Sequence, residues 1–267
     1  MDGPMLHKGV KSLGYVMILF LFGIISQSYN AVVILTWGPR FLHGSPVAIV
    51  VLVLFHILLV MLVWSYFRAV LTDPGAVPET WSPPDPENRS NFCDKCQRWK
   101  PPRCDHCSFC QRCVLRMDHH CIWVVNCVGA RNYKFFLLFL VYAFLGALLV
   151  CVALLPGVVN RVREGNAHSW SSGSRSDVLL TFVLNSAFVA SLLCFNGFHV
   201  SLVLGNATSR EIIEKRREIR WKYDVGRRKN VEQVFGSKVK LWFLPLFSKG
   251  DDETVPALRG LQFPTQS

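Results

Sequence analysis

Eight of the ten cysteines lie in one short stretch of the chain, between Cys93 and Cys127. Several are two residues apart, as in Cys93-x-x-Cys96, and three histidines lie among them. Thiolates at this spacing bind one metal ion together, and zinc is the usual ion. Two closed tetrahedral sites need about eight ligands, while the stretch offers eight cysteines and three histidines. Three of these groups are therefore left for other chemistry, although spacing alone does not say which.

Long apolar runs lie on both sides of this stretch. Half of the residues are apolar, and four charge-free gaps each exceed the roughly 20 residues that a helix needs to cross a bilayer. The runs predict membrane spans at about Leu13–Trp37, Pro46–Phe67, Phe135–Pro156 and Val178–Leu204. We therefore expect an all-α integral membrane protein with four transmembrane helices and a small zinc-bound, cysteine-rich module between helices 2 and 3.

The basic residues predict the orientation of these spans. Of the 29 lysines and arginines, only Arg40, Arg161, Arg163 and Arg175 fall in the two loops opposite the termini. Because basic residues stay in the cytosol during insertion, both termini and the cysteine-rich module are expected there. The domains are then the tail and first two spans (1–67), the zinc module (68–134), the last two spans (135–204) and a basic tail (205–267).

The net charge of +11 could indicate nucleic acid, but basic cytosolic flanks are normal in membrane proteins. Anionic lipid is the nearer partner, and we expect no nucleic acid. The stretch Glu211–Lys222 predicts a basic helix along the membrane surface, or a solvated helix extension. The acceptor patterns at Asn88 and Asn206 should carry no sugar, since both are expected on the cytosolic side.

The order of the cysteines and histidines strongly resembles that of the DHHC family of protein S-acyltransferases. The resemblance covers the run from Cys93 to Cys127 and the continuation Asn132-Tyr-Lys-Phe-Phe136. Further similarities are Asp73-Pro-Gly75 after the second span, Thr208-Ser-Arg-Glu211 after the fourth, and a C-terminal motif that includes Asn230.

The resemblance implies which groups bind metal and which do chemistry. In the family, two zinc ions are each held by three cysteines and one histidine in interleaved order. Carried over, one site is Cys93, Cys96, His106 and Cys113, and the other is Cys107, Cys110, His120 and Cys127. Cys121 then becomes the acylated nucleophile and His119 its base, oriented by Asp118. Cys104 is left over, as an inert thiol or as a replacement ligand.

The implied reaction is transfer of a long-chain acyl group, expected to be palmitoyl, from acyl-CoA to cysteines of client proteins. A thiol must lose its proton to attack, and a Cys-His-Asp arrangement supplies the base. We expect residues this close in sequence to come together only on a backbone bent by the flanking zinc ligands. Four spans should enclose the acyl chain beneath Cys121, with Trp123 at its mouth, and basic residues should hold the CoA phosphates.

Departures from the family pattern are small. Ser209 stands where a threonine is usual and keeps the hydroxyl that supports the aspartate. Ile122 and Val125 stand where many members have proline and asparagine, and neither change removes a catalytic group. The expected clients carry juxtamembrane cysteines, and the expected membrane is the Golgi.

Two other classes of protein remain possible from the residues alone. A membrane-anchored zinc-finger adaptor would use Cys121 and His119 as ligands or not at all. A small transporter or channel would use the polar residues of the spans, namely His56, Asn185, Asn196 and His199. Isolated neutral polar residues more often form hydrogen bonds between helices, so we expect that role for them.

Overall fold

A computed structural model describes residues 3–84, 91–164, 173–214 and 221–266. Four helical stretches in these ranges are long and apolar enough to cross a membrane, in agreement with the sequence. They are Ser12–Leu42, Pro46–Leu71, Tyr133–Arg163 and Ser176–Leu204.

The helices that carry the spans are longer than the apolar runs predict. Helix α1 (Gly3–Tyr29) continues as a π-helical segment (Asn30–Trp37) and a short α2 (Gly38–Leu42). Helix α3 is Pro46–Leu71, α4 is Tyr133–Glu164 and α5 is Gly173–Leu204. Helix α4 continues through Pro156, where the third predicted span ends, and reaches Glu164. A proline removes one N–H donor, and a membrane helix tolerates that loss.

Among the described residues between α3 and α4, six short strands form three antiparallel hairpins. β1 (Phe92–Cys93) pairs with β2 (Arg98–Trp99), and β3 (Asp105–Cys107) pairs with β4 (Arg112–Val114). β5 (His119–Cys121) pairs with β6 (Asn126–Val128). The sequence did not predict these strands, because they are too short to show an alternating apolar pattern.

Short helices follow the fourth span. They are α6 (Ser209–Glu214), α7 (Arg227–Phe235), α8 (Asp251–Thr254) and the 3-10 turns Val239–Leu241 and Pro256–Arg259. Of the predicted basic helix, Glu211–Glu214 lie in α6, residues 215–220 lie outside the described ranges, and Trp221 and Lys222 are not helical. The acceptor pattern at Asn88 also lies outside the described ranges.

The chain divides into two compact units. The span unit comprises Met17–Val63 and Phe139–Asn196. Its helices are joined by polar contacts within an apolar core: Asn185 Nδ2 donates to Ser28 Oγ (3.0 Å), and Asn196 Nδ2 donates to the Leu140 carbonyl (3.3 Å). These two asparagines therefore have the interhelical role expected of them, whereas His56 bonds within its own helix, to the Leu52 carbonyl.

The module unit comprises Met1–Val16, Trp64–Leu138 and Gly197–Ser267. The Asp73-Pro-Gly75 turn supplies carbonyl acceptors: Gly75 accepts from the Leu115 N–H (3.0 Å) and Pro74 from the Arg131 N–H (3.2 Å). Gly129 must lack a side chain here, because a Cβ would lie 2.7 Å from the Pro74 carbonyl oxygen. The motif after the second span thus positions the hairpins through backbone hydrogen bonds.

Buried charges fix the segment after the fourth span to the hairpins. Arg103 donates from two nitrogens to the two carboxylate oxygens of Glu211 (2.8 Å each) and from a third to Asn206 Oδ1 (3.0 Å). Asn206 also accepts from Arg116 (2.9 Å) and donates to the Tyr223 carbonyl (2.8 Å). Asn206 is fully buried, so it could not carry a sugar in this fold.

We expect Glu211→Gln to destabilise the protein strongly. Removing one member of a buried ion pair costs about 3–5 kcal/mol, and here it leaves Arg103 and Arg116 buried near each other without the carboxylate. The melting temperature of the detergent-solubilised protein measures the loss. The matched control is Glu79→Gln, which breaks an exposed pair with Arg98 and should cost less than about 1 kcal/mol. Equal effects of the two changes would contradict the buried-pair account.

Candidate active site and metal clusters

The two predicted ligand sets each converge in the structure. Within each set the donor atoms all lie within 4.8 Å of one another. The sets are Cys93, Cys96, His106 and Cys113, and Cys107, Cys110, His120 and Cys127.

The hairpins explain why the ligands interleave. The register of β3 and β4 sets His106 opposite Cys113, and that of β5 and β6 sets His120 opposite Cys127. The remaining ligands come from β1, from β3 and from the turns that follow these strands. Each hairpin that carries a histidine and cysteine pair therefore needs a C-x-x-C pair nearby to complete its set.

The donor distances fit a tetrahedral metal ion. His106 Nδ1 lies 3.2 Å from Cys96 Sγ and 3.7 Å from Cys93 Sγ. His120 Nδ1 lies 3.4 Å from Cys110 Sγ and 3.6 Å from Cys127 Sγ. Ligands bound to zinc at about 2.0–2.3 Å would be separated by about 3.5–3.8 Å. Three thiols and one imidazole at these separations are a donor set that could hold zinc.

Cys104, His119 and Cys121 lie outside both clusters. Cys104 is buried, and burial raises the pKa of its thiol to about 12. A thiol with this pKa stays protonated at neutral pH and is a poor nucleophile. This agrees with the expectation of an inert thiol.

Asp118 and His119 form a hydrogen-bonded pair. His119 Nδ1 lies 2.7 Å from Asp118 Oδ2. Burial opposes the charge of Asp118, but the His119 bond, the His119 charge and the Ser209 N–H outweigh it and lower the pKa of the carboxyl. Burial also lowers the pKa of His119, but its hydrogen bonds to Asp118 and Cys121 raise it overall, to about 9. The imidazole can therefore accept a proton and hold it.

The side chains of the two histidines in strand β5 point in opposite directions. Successive side chains of a strand point to opposite faces, so His119 and Cys121 share one face while His120 points to the other. That other face carries the second ligand cluster. The expectation that these neighbours need an irregular backbone was wrong, because the ordinary alternation of a short strand brings the imidazole and the thiol together.

Ser209 holds Asp118 with two donors. Its backbone N–H donates to Oδ1 and its hydroxyl donates to Oδ2, each at 2.9 Å. The serine therefore supplies the hydroxyl contact that was expected in place of threonine.

We expect Ser209→Ala to slow acyl loading by about tenfold, since one hydrogen bond to a charged group contributes about 1.5–3 kcal/mol and the backbone donor remains. Ser209→Thr keeps the hydroxyl and should load at close to the normal rate. Single-turnover loading with labelled acyl-CoA measures both variants. Equal rates for Ala and Thr would mean that the hydroxyl does not support the aspartate.

Val125 has a strained backbone in the β5–β6 turn, with φ of 49°. A left-handed conformation costs about 1–2 kcal/mol for residues with a Cβ, and asparagine tolerates it better than a branched residue. We therefore expect the departure at this position to affect stability rather than chemistry.

We expect Val125→Asn to raise the melting temperature of the solubilised protein by a few degrees, roughly the effect of 1 kcal/mol, and to leave acyl loading unchanged. Val124→Asn is the contrasting change. Because Val124 is fully buried, we expect this substitution to lower the melting temperature. A lower melting temperature for Val125→Asn would contradict the strain account.

Residues to which the sequence analysis gave no role in the active site surround His119. The ring of Phe136 lies edge-on to it with centres 5.2 Å apart, and the ring of His199 lies 6.1 Å away. His199 Nδ1 is 3.1 Å from the Tyr133 hydroxyl. Tyr133 and Phe136 belong to the Asn-Tyr-Lys-Phe-Phe motif, which was a usable signal; His199 was placed among structural polar residues, and nothing in its sequence context indicated proximity to His119.

Hydrogen bonds join the β5–β6 hairpin to the end of the second span. Asn126 Nδ2 donates to the carbonyls of Val70 and Thr72 (3.1 Å each), and the Tyr66 hydroxyl donates to the Trp123 carbonyl (3.1 Å). The last carbonyls of a helix lack partners within it, so Asn126 also caps α3.

Comparison with known proteins agrees with this geometry. Residues 86–216 match the model of the DHHC palmitoyltransferase family. "Probable protein S-acyltransferase 12" of Arabidopsis thaliana is 50% identical over 97% of this chain and 96% of its own length. The chain belongs to the DHHC palmitoyltransferase family. "Probable protein S-acyltransferase 14" of the same plant is 43% identical over 96% of this chain and 92% of its own length, and "Palmitoyltransferase ZDHHC15A" of Danio rerio is 32% identical over 94% and 87%. The protein is a protein S-acyltransferase, a multi-pass membrane enzyme whose cysteine-rich module has two clusters able to bind metal.

Proposed function

We propose that the enzyme transfers a palmitoyl group from acyl-CoA to client cysteines through a thioester on Cys121. The observation that carries this proposal is the arrangement on β5: Cys121 lies outside both ligand clusters, on the face of His119, and His119 is held by Asp118 at 2.7 Å. No other thiol of the described module has an imidazole base outside the clusters.

The first half of the reaction loads the enzyme. Nε2 of His119 takes the proton of the Cys121 thiol, and Asp118 stabilises the imidazolium through Nδ1–H. The thiolate sulfur attacks the carbonyl carbon of acyl-CoA, and the bond from that carbon to the CoA sulfur breaks. The CoA thiolate leaves and takes up the proton, so acyl-Cys121 and neutral His119 remain.

The second half repeats the chemistry with a client. His119 accepts the proton of the client thiol, whose sulfur attacks the carbonyl carbon of acyl-Cys121. The Cys121 thiolate leaves and is reprotonated. One base therefore serves both steps, and the two reactions need no water at the carbonyl.

We assign each ligand cluster to one zinc ion with a structural role. Four protein ligands would close the coordination sphere of each ion, whereas a catalytic zinc would need an open position. Bound ions would stabilise the geometry of the hairpins: an ion held by His120 and Cys127 would keep β5 and β6 in the register that places Cys121 on the same face as His119.

The acyl chain needs an apolar environment, and each buried methylene contributes about 0.8 kcal/mol. We propose that the chain lies among the four spans. In support, the span unit contains an apolar cavity between its helices, lined by residues from all four of them, including Leu21, Phe55, Gly146 and Phe188. Basic residues of the module and tail would hold the CoA phosphates.

We further propose that the termini and module face the cytosol, that the enzyme resides in the Golgi, and that its clients present cysteines next to a membrane. The distribution of basic residues supports the orientation. Clients of this kind suit a module joined directly to the ends of membrane spans.

A two-stage transfer experiment tests the proposed function. The purified chain in detergent is loaded with labelled palmitoyl-CoA, freed of all CoA species, and then mixed with a cysteine-containing peptide inserted in micelles. We expect the label to move to the peptide without further donor. If label reaches the peptide only while palmitoyl-CoA is present, the acyl-enzyme route is wrong.

A further inference from the structure

The segment that follows α7 exposes apolar side chains among basic ones. We call Lys238–Lys249 the anchoring loop. Its side chains of Val239 and Phe243 are 50% and 69% exposed, and Lys238, Lys240 and Lys249 are exposed as well. Large exposed apolar groups flanked by lysines are typical of segments that lie in a membrane interface.

A buried lysine holds the anchoring loop at the start of the third span. Lys134 is 1% exposed and lies in the first turn of α4. Its ammonium donates to the carbonyls of Leu241 (3.0 Å) and Leu246 (2.5 Å) in the loop, and to that of Phe235 (3.2 Å) just before it. Three backbone acceptors on one ammonium fix the loop against the point where α4 enters its apolar run.

Aromatic and cationic contacts join the loop to a second span. The ring of Phe247 packs on that of Phe135, with centres 5.4 Å apart. The guanidinium of Arg68, in the last turn of α3, lies 4.3 Å from the centre of the same Phe135 ring. The loop is therefore fastened at the ends of two membrane spans, the level at which arginine and aromatic side chains mark the boundary between lipid and water.

We propose that the anchoring loop docks on the lipid bilayer. Val239 and Phe243 enter the boundary between headgroups and acyl chains, and Lys238 and Lys240 pair with anionic headgroup phosphates. Lipid is the occupant that these observations favour, because the loop is fixed at the ends of spans that lipid surrounds and because its charge complements anionic phospholipid. A second copy of the chain is the competing occupant.

Photocross-linking in the full-length protein tests this docking. Phe243 is replaced by the photoreactive residue benzoylphenylalanine, and the protein is placed in nanodiscs of phosphatidylcholine and phosphatidylserine. We expect illumination to give a phospholipid adduct, detected by its mass. The control position is Arg228 on α7, whose side chain is 84% exposed and which should give none. An adduct with a second copy of the chain, or no lipid adduct at 243, would overturn the proposal.

The charge of the loop is tested separately. In the double variant Lys238→Glu and Lys240→Glu, we expect the adducts at 243 to lose their enrichment in phosphatidylserine and to follow the composition of the bilayer. Zinc content and melting temperature confirm that the variant is folded. If the enrichment in phosphatidylserine is unchanged, the proposed contact of Lys238 and Lys240 with anionic headgroups is wrong. Because none of these measurements uses acyl transfer, their outcome is independent of the proposed function.

Discussion

Cys121→Ser should abolish formation of a thioester with palmitate. The expected fall in loading rate exceeds about 10⁴-fold, the scale reached when a catalytic nucleophile is removed. The serine hydroxyl is far less acidic than a thiol, and any ester that it forms lacks the sensitivity of a thioester to hydroxylamine. The measurement is the hydroxylamine-sensitive acyl label on purified protein, with zinc determined on the same sample.

Zinc content should not change in this variant, because Cys121 belongs to neither ligand cluster. Cys104→Ser is the matched control: its thiol is buried, with a pKa raised to about 12, and its replacement should leave loading intact. If the label persists in Cys121→Ser, or disappears in Cys104→Ser, the assignment of the acyl group to Cys121 is wrong. Loss of zinc from Cys121→Ser would instead favour a zinc-finger adaptor in which Cys121 is a ligand.

Substitutions of the two adjacent histidines should have different effects on zinc content and acyl loading. His120→Ala removes one ligand of the second cluster, and we expect loss of that zinc ion together with loading. Structural zinc contributes about 10–16 kcal/mol to small domains, so the β5–β6 hairpin should lose its register. The measurements are zinc content and resistance of the module to limited proteolysis.

His119→Ala is the matched variant, one residue away on the opposite face of β5. It should keep both zinc ions and the melting temperature, while loading falls by about 10²–10⁴-fold, as expected for loss of a general base. If both variants lose zinc, or if both keep it, the separation of structural and chemical roles by strand alternation is incorrect.

The sequence predicted most of the fold because the membrane imposes a simple rule. Runs long enough to span a bilayer without charge must be helices, and all four were found in the structure. The helices extend beyond the apolar runs that predict them, as α4 does by passing through Pro156 to Glu164.

The cysteine-rich module was predictable in its ligands but not in its backbone. Resemblance to the family indicated the two ligand sets, whereas strands of two or three residues leave no readable pattern. Only the structure shows the pairing of these strands, which places His120 opposite Cys127 across the β5–β6 hairpin. Nothing in the sequence indicated that Val125 has a left-handed backbone conformation.

Long-range polar contacts were the least predictable feature. Arg103 meets Glu211 across more than a hundred residues, and Ser209 reaches Asp118 across a similar distance in sequence. The motif after the fourth span pointed to the second contact through resemblance. Nothing local to Arg103 distinguishes this buried cation from the exposed lysines and arginines of the same chain.

Native mass spectrometry of the wild-type protein after reaction with palmitoyl-CoA is the most direct test of the division between metal ligands and nucleophile. The expected species carries two zinc ions and one palmitoyl group on the same molecule, and fragmentation places that group on Cys121. Acylation that displaces zinc, or an acyl group mapped to one of the eight cluster residues, would contradict this division.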